Sequence, residues 1–256
     1  MRLSVLIPVY NERHTVGPVI ATVSRALPAV EKEIILIDDG SQDGTTSFLR
    51  ETLGSATGRY RPIALGDGSL RLEAACETDA GAVTFHVGFH ETNRGKGAAV
   101  RTAMLAATGD VIVIQDADLE YDPEDWAQMY ALIAEKKLAD VVYGSRFYGR
   151  PHRSLFFHHF LANRLISFLF NLIYNQTLSD IEVCYKMFTR EVMQSLALTA
   201  NDFGIEIEIS SQIALNRKLR IYEVGISYYG RTYREGKKIN WKDGLRALWY
   251  LLKFRV

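Results

Sequence analysis

The sequence predicts an α/β protein with a mainly parallel central sheet flanked by helices. Short aliphatic runs recur at 3–9, 34–37, 83–87, 111–114 and 140–143, separated by segments with helical spacing, the alternation expected of βαβ units. Each run is apolar on both faces, as a parallel strand covered on both sides by helices should be. The 256 residues are 48% hydrophobic and 23% charged, the balance of one soluble α/β domain, alone or with an appendage.

Taken in order, RLSVLIPVY opens the first strand; it has a strand's length and lacks the longer apolar run and small-residue cleavage site of a signal peptide. IILIDDGSQDGT is a second strand running into a turn, with Asp38 and Asp39 at its exit. Residues 54–82 carry five glycines and weak periodicity, so they read as an inserted loop or small hairpin. VIVIQDADLEYDP is the fourth strand, after the run at 83–87, and its exit holds Asp116 and Asp118. The expected organisation is 1–150 as a ligand-binding half, 151–230 as a second half of the same domain, and 231–256 as a basic loop and amphipathic C-terminal helix. The aromatic segment 154–175 is interrupted by His158, His159, Asn163 and Arg164, so it falls short of the roughly 20 consecutive apolar residues of a spanning helix. Ligands of open parallel sheets bind beyond the carboxyl ends of the strands, where PVYNE, DDGSQDGT, DADLE and GSRF all fall.

Several functions are disfavoured. Thirty basic side chains balance thirty acidic ones, so no global field draws nucleic acid. Cys76 and Cys184 are far apart without metal-ligand spacing, which suits a reducing, cytoplasmic setting. The first glycine after the opening strand is Gly17, so the G-x-G-x-x-G turn of dinucleotide enzymes is missing.

In an extended segment residues i and i+2 point together, so Asp116 and Asp118 should share a face at the sheet's mouth. Two close carboxylates repel unless a cation sits between them or one takes a proton. Hard divalent ions such as Mg²⁺ or Mn²⁺ take carboxylate and phosphate oxygens, so the spacing suggests a metal and diphosphate site. The plainer alternative is helix capping, and that role goes to Asp122 before Pro123. Asp38 and Asp39 are adjacent and point different ways; Asp39, with Asp38 second, is expected on a nucleoside, while Ser41 and Asp43 are turn formers.

The motifs IPVYNE (7–12), IDDGSQDGT (37–45), NRGKGAAVRTA (93–103), DADLE (116–120), YGSRF (143–147) and SDIEVCYKMF (179–188) run in that order across nearly the whole chain apart from 54–82. With them the sequence resembles glycosyltransferase family 2, which has the GT-A fold, and within it the polyprenyl-phosphate sugar transferases of the dolichol-phosphate mannose synthase type. The resemblance implies that 1–150 binds a nucleotide sugar, that Pro8, Tyr10, Glu12 and Asp39 line the nucleotide, and that Asp116 and Asp118 hold Mg²⁺ or Mn²⁺ on its diphosphate. Glu120 stands where many relatives have Gln and is expected as a third oxygen ligand. Lys96 is expected either on phosphate or solvated.

The resemblance also implies a GDP- or UDP-hexose donor, a polyprenyl phosphate acceptor and inversion at the anomeric centre. A lipid phosphate is already an anion and needs cations, for which Arg suits bidentate binding; Arg146 of GSRF and Arg231 and Lys238 of GRTYREGKK are the candidates. A hydroxyl of a cell-wall or exported glycan would instead need a general base. Asp180 is the first candidate for that base, with Glu182 beside it; with a lipid phosphate, Asp180 should position the sugar or Lys186. Glu206 and Glu208 alternate with isoleucines and read as the polar face of an element, and His159 and Asn163 stand one helical turn apart. Segment 154–175 and LRALWYLLKFRV have apolar faces edged by Arg, Lys and Trp, a pattern shared by interfacial membrane helices, core helices and dimer contacts. With a lipid acceptor the expected location is the cytoplasmic membrane face, reached peripherally, through a membrane partner or as a homodimer. A non-catalytic nucleotide-sugar-binding protein is the alternative of a different class.

Overall fold

A computed structural model describes all residues except 55, 57, 65–69, 75–81, 150, 155, 233, 234, 236–240 and 256. Its strands are β1 (Leu3–Val9), β2 (Lys32–Asp38), β3 (Arg59–Ala64), β4 (Leu70–Ala74), β5 (Val83–Phe89), β6 (Val111–Ile114), β7 (Val141–Ser145), β8 (Lys186–Thr189) and β9 (Ile221–Gly225). They form one sheet in the order β4-β3-β5-β2-β1-β6-β8-β7-β9. Strands β5, β2, β1 and β6 pair in parallel, β7 pairs with β9 in parallel, and β3 and β8 run against their neighbours. The sheet is thus mainly parallel with helical cover, the expected α/β architecture. Within 54–82, β3 and β4 pair antiparallel and extend the sheet beyond β5.

Strands β1, β2 and β6 are buried almost throughout, which is why their sequences do not alternate. Helices α1 (Val16–Arg25), α2 (Thr45–Leu53), α3 (Lys96–Ala106) and α4 (Trp126–Tyr130) lie in the first half, and α1 turns Val16, Val19, Ile20 and Val23 into the core at helical spacing. Helices α5 (Phe157–Tyr174), α6 (Arg190–Ser195), α7 (Ile205–Leu215) and α8 (Trp241–Lys253) follow.

The reversed strand β8 positions the site. Because it runs against β6 and β7, the residues entering it, 179–186, arrive at the rim where β1, β2, β6 and β7 end. Six sequence motifs therefore meet at one edge. Two glycines lock that edge: at Gly40 (φ +72°) a Cβ would stand 2.6 Å from the Thr92 carbonyl carbon, and at Gly95 (φ +96°) 2.3 Å from the Asn201 oxygen. Both conformations and both approaches require a residue without a side chain.

Helix α5 buries Ile166, Ser167, Phe170 and Tyr174, while Phe157, Leu161, Leu165, Phe168 and Leu172 remain between 51% and 75% exposed. The Tyr174 hydroxyl donates to the Leu251 carbonyl (3.0 Å), tying α5 to α8, where Trp249 and Leu252 are also exposed. Among the described residues no helix is long and apolar enough to cross a membrane.

Candidate active site

The rim encloses a cavity of about 1600 Å³. Pro8, Tyr10, Glu12 and Asp39 line it together with Asp116, Asp118 and Glu120, Arg146 and Glu182, and apolar side chains of α5 and α8. The first two motifs are laced together: Asn11 N–H donates to Ser41 Oγ (2.8 Å), Gln42 N–H to Asn11 Oδ1 (2.8 Å) and Arg13 N–H to Asp43 Oδ2 (3.1 Å). Ser41 and Asp43 are thus turn formers. Asp122 accepts from Glu124 N–H (3.1 Å) and caps the 3₁₀ turn Pro123–Asp125.

Asp39 Oδ1 accepts from His90 Nδ1 (2.7 Å) and Arg94 N–H (3.0 Å), and Oδ2 from Gly95 N–H (2.7 Å). Asp38 faces the other way, as adjacent positions dictate. It is fully buried, accepts from the Thr46 hydroxyl (2.5 Å) and is not among the cavity-lining residues, so it belongs to the scaffold and not to a nucleoside contact.

Asp116 and Asp118 both line the cavity, and each meets a cation. Lys96 Nζ lies 2.7 Å from Asp116 and 2.9 Å from Glu206, so it is not a solvated lysine. Burial alone would lower the Lys96 pKa, but the surrounding negative groups, Asp116 foremost, hold it well above its ordinary value. Arg231 reaches Asp118 (2.9 Å), Glu12 (3.2 Å) and Glu120 (3.2 Å). Burial chiefly, then the charges of Asp116 and Glu120, push Asp118 up to about 7, with Arg231 opposing. Leu119 between them adopts φ +62°, a left-handed conformation uncommon for leucine and typical of functional turns.

Glu120 departs from the expected role of third ion ligand. Its Oε2 accepts from the Tyr228 hydroxyl (2.7 Å) and its Oε1 from Arg231 N–H (2.9 Å) and Nε (3.2 Å), so it anchors the start of the basic loop. Arg231 correspondingly sits on three carboxylates. Lys238 lies outside the described residues.

Arg146 lines the cavity and is held by Asp180 through two bonds of 2.7 Å, from Nε to Oδ2 and from Nη2 to Oδ1. Asp180 is itself fully buried and does not line the cavity. With both oxygens committed to a guanidinium, it positions Arg146 and does not serve as the base. Nor does it touch Lys186, whose Nζ bonds Val183 O and Glu206 Oε2 (2.5 Å). Glu182, two residues on, lines the cavity instead. Burial, aided by Asp180 and Glu206 and opposed by Arg146 and Lys186, lifts it to about 7.

Glu206 and Glu208 are not a polar face. Both are buried on the first turns of α7, Glu206 bridging Lys96 and Lys186 and Glu208 accepting from Thr199 and Ala200 N–H (2.8–3.0 Å). The available signal is the helix IEIEISSQIAL itself: a helix apolar on all sides is buried, and buried carboxylates need partners. His159 and Asn163 line the cavity, as their spacing suggests. Cys184 also lines it, but burial raises its thiol pKa well above the usual value, which makes it a poor nucleophile.

This arrangement can be set beside known proteins. The model of glycosyl transferase family 2 matches residues 4–84 and 63–197. The chain belongs to that family. Among relatives of the family, it is 25% identical over 260 residues to a dolichol-phosphate mannosyltransferase of Pyrococcus furiosus, covering 99% of this chain and 64% of that protein. It is 27% identical over 237 residues to a polyprenol monophosphomannose synthase of Mycolicibacterium smegmatis, covering 90% and 78%. The chain thus spans under two thirds of the first of these. Its fold matches the crystal structure of glucosyl-3-phosphoglycerate synthase from Mycobacterium tuberculosis with Mn²⁺, UDP-glucose and phosphoglyceric acid, with TM-score 0.69, 18% identity and coverage of 99% and 79%. The family 2 chain therefore has the GT-A fold.

Proposed function

We propose that this family 2 chain is an inverting hexosyltransferase that moves a sugar from a nucleotide diphosphate to a polyprenyl phosphate with a divalent ion. The supporting observation is that one cavity is lined by three chemistries: Pro8, Tyr10, Glu12 and Asp39, the Asp116 and Asp118 carboxylates, and Arg146 with apolar side chains of α5 and α8. The two relatives act, by name, on dolichol or polyprenol phosphates.

In this reading the acceptor's phosphate oxygen attacks the anomeric carbon, the carbon–oxygen bond to the donor diphosphate breaks, and the nucleoside diphosphate leaves with the bonding pair. No proton need be removed from an acceptor that is already an anion. Arg146, pinned by Asp180, supplies a preorganised fork for that phosphate. Asp116 and Asp118 suit Mg²⁺ or Mn²⁺: two oxygen donors lie together, and burial first, then the neighbouring Asp116 and Glu120 charges that Arg231 only partly offsets, raises the Asp118 pKa. The ion would neutralise the departing diphosphate. Arg231 and Lys96 hold the same carboxylates and must yield part of their contacts when an ion binds.

The exposed apolar stripe of α5 and the Trp249 and Leu252 side chains of α8 supply a surface for peripheral contact with the bilayer that holds such a lipid. One observation favours a second reading, transfer to a hydroxyl: Glu182 lines the cavity near the acceptor arginine with a pKa of about 7, the poise of a general base.

Incubation with labelled GDP- or UDP-hexoses, Mn²⁺ and either polyprenyl phosphate or glycans decides between them. The lipid reading expects an acid-labile, solvent-extractable product. A glycan product with inert lipid would reverse the order, and nucleotide binding without turnover would indicate a sensor.

A further inference from the structure

Resting on the reading of the cavity as a nucleotide-sugar site, the hydrogen bonds around Asp39 narrow the donor's base. A carboxylate offers about four lone-pair positions. Asp39 Oδ1 already accepts from His90 Nδ1 and Arg94 N–H, and Oδ2 from Gly95 N–H. One acceptor position remains, on Oδ2, on a side chain that lines the cavity and is otherwise enclosed.

His90 is a fixed partner. Its ring is 8% exposed, and Nε2 lies 3.0 Å from Thr102 Oγ1. The Thr102 hydroxyl also lies 3.0 Å from the Ala98 carbonyl. Whichever of the two receives the threonine proton, His90 Nδ1 must carry the hydrogen, because the facing carboxylate can only accept. The carboxylate is held in its orientation by three donors, His90 Nδ1 and Arg94 N–H on Oδ1 and Gly95 N–H on Oδ2.

We propose that His90 sets base selectivity by occupying Asp39 Oδ1, so that the site takes a uracil-type base and rejects guanine. Uracil presents a single ring N–H between two carbonyls and needs one acceptor. Guanine presents two adjacent donors, N1–H and the N2 amino group, and matches a carboxylate with both oxygens free. Here one guanine donor is left facing a filled oxygen. Leaving a buried donor unpaired lowers affinity by about tenfold or more.

Calorimetric titration of UDP and GDP with Mn²⁺ into the full chain, its His90→Ala variant and its His90→Gln variant tests this. The wild type should bind UDP about tenfold or more tighter than GDP. His90→Ala frees one acceptor position on Oδ1, which keeps only Arg94 N–H, and should bring the two affinities together, whereas His90→Gln keeps a donor and should retain the preference. GDP binding as tight as UDP in the wild type overturns the proposal, as does an unchanged ratio in folded His90→Ala. If His90→Ala does not fold, the wild-type ratio and His90→Gln decide, and loss of the preference in His90→Gln counts against it. Binding of neither nucleotide to the wild type overturns the transferase reading itself and this inference with it, whereas a GDP preference overturns this inference alone.

Discussion

Replacing Asp180 by Asn tests whether that carboxylate is a positioning group. The substitution keeps size and one acceptor but turns an amide donor toward a guanidinium that also donates. Asp180 is fully buried and makes both 2.7 Å bonds to Arg146. Removing one partner of a buried ion pair costs about 3–5 kcal/mol. The Arg146 side chain keeps 13% exposure toward the cavity, so solvent relieves part of its charge and the lower end, about 3 kcal/mol, applies. At about 2–4 °C per kcal/mol for a chain of this size, melting should fall by roughly 6–12 °C. Acceptor KM should rise, because the arginine fork loses its brace. A double variant, Asp180→Leu with Arg146→Met, removes both charges and should recover much of the stability without recovering acceptor affinity. An Asp180→Asn protein that melts like the wild type yet loses kcat with unchanged acceptor KM would refute the positioning role.

Other substitutions probe neighbouring residues. Glu182→Gln should change transfer to a lipid phosphate little, whereas transfer to a hydroxyl should fall by about 10²–10⁴-fold; the assay is kcat on both acceptors. Asp118 carries a proton below its pKa of about 7, and an ion must displace it. Apparent Mn²⁺ affinity should therefore weaken as pH falls below about 7 and level off above it, and Asp118→Asn should abolish that pH dependence; titration of Mn²⁺ by electron spin resonance reads this directly. Leu119→Asn should raise unfolding free energy by up to about 1 kcal/mol, because asparagine tolerates the left-handed backbone at φ +62°; a lower midpoint in urea would contradict it.

The fold was legible because β1, β2, β6 and β7 are buried on both faces and announce themselves as unbroken aliphatic runs, whereas β9, largely half-exposed, does not. Asp116 and Asp118 were legible because the i, i+2 pair at a strand exit comes with the other motifs at 7–12, 37–45, 93–103, 143–147 and 179–188. The choice between neighbours was not. Asp38 turns to Thr46, whereas Asp39 is held by His90, Arg94 and Gly95, 51–56 residues away, a contact between distant segments. Likewise Asp180 and Glu182 are chemically equivalent until Arg146 takes one of them, 34 residues away. Glu206 looked solvated because its partners, Lys96 and Lys186, come from other elements. Sequence periodicity records which side chains are apolar, but not which distant cation neutralises a buried acid.

The central claim is that Asp116 and Asp118 hold a divalent ion on the donor diphosphate. Manganese anomalous scattering from a crystal grown with UDP-sugar and Mn²⁺ tests it most directly. The account predicts one peak within coordination distance of both carboxylates, with Arg231 withdrawn from Asp118. A bound nucleotide with no peak there, and Lys96 and Arg231 still seated on the two aspartates, would contradict it.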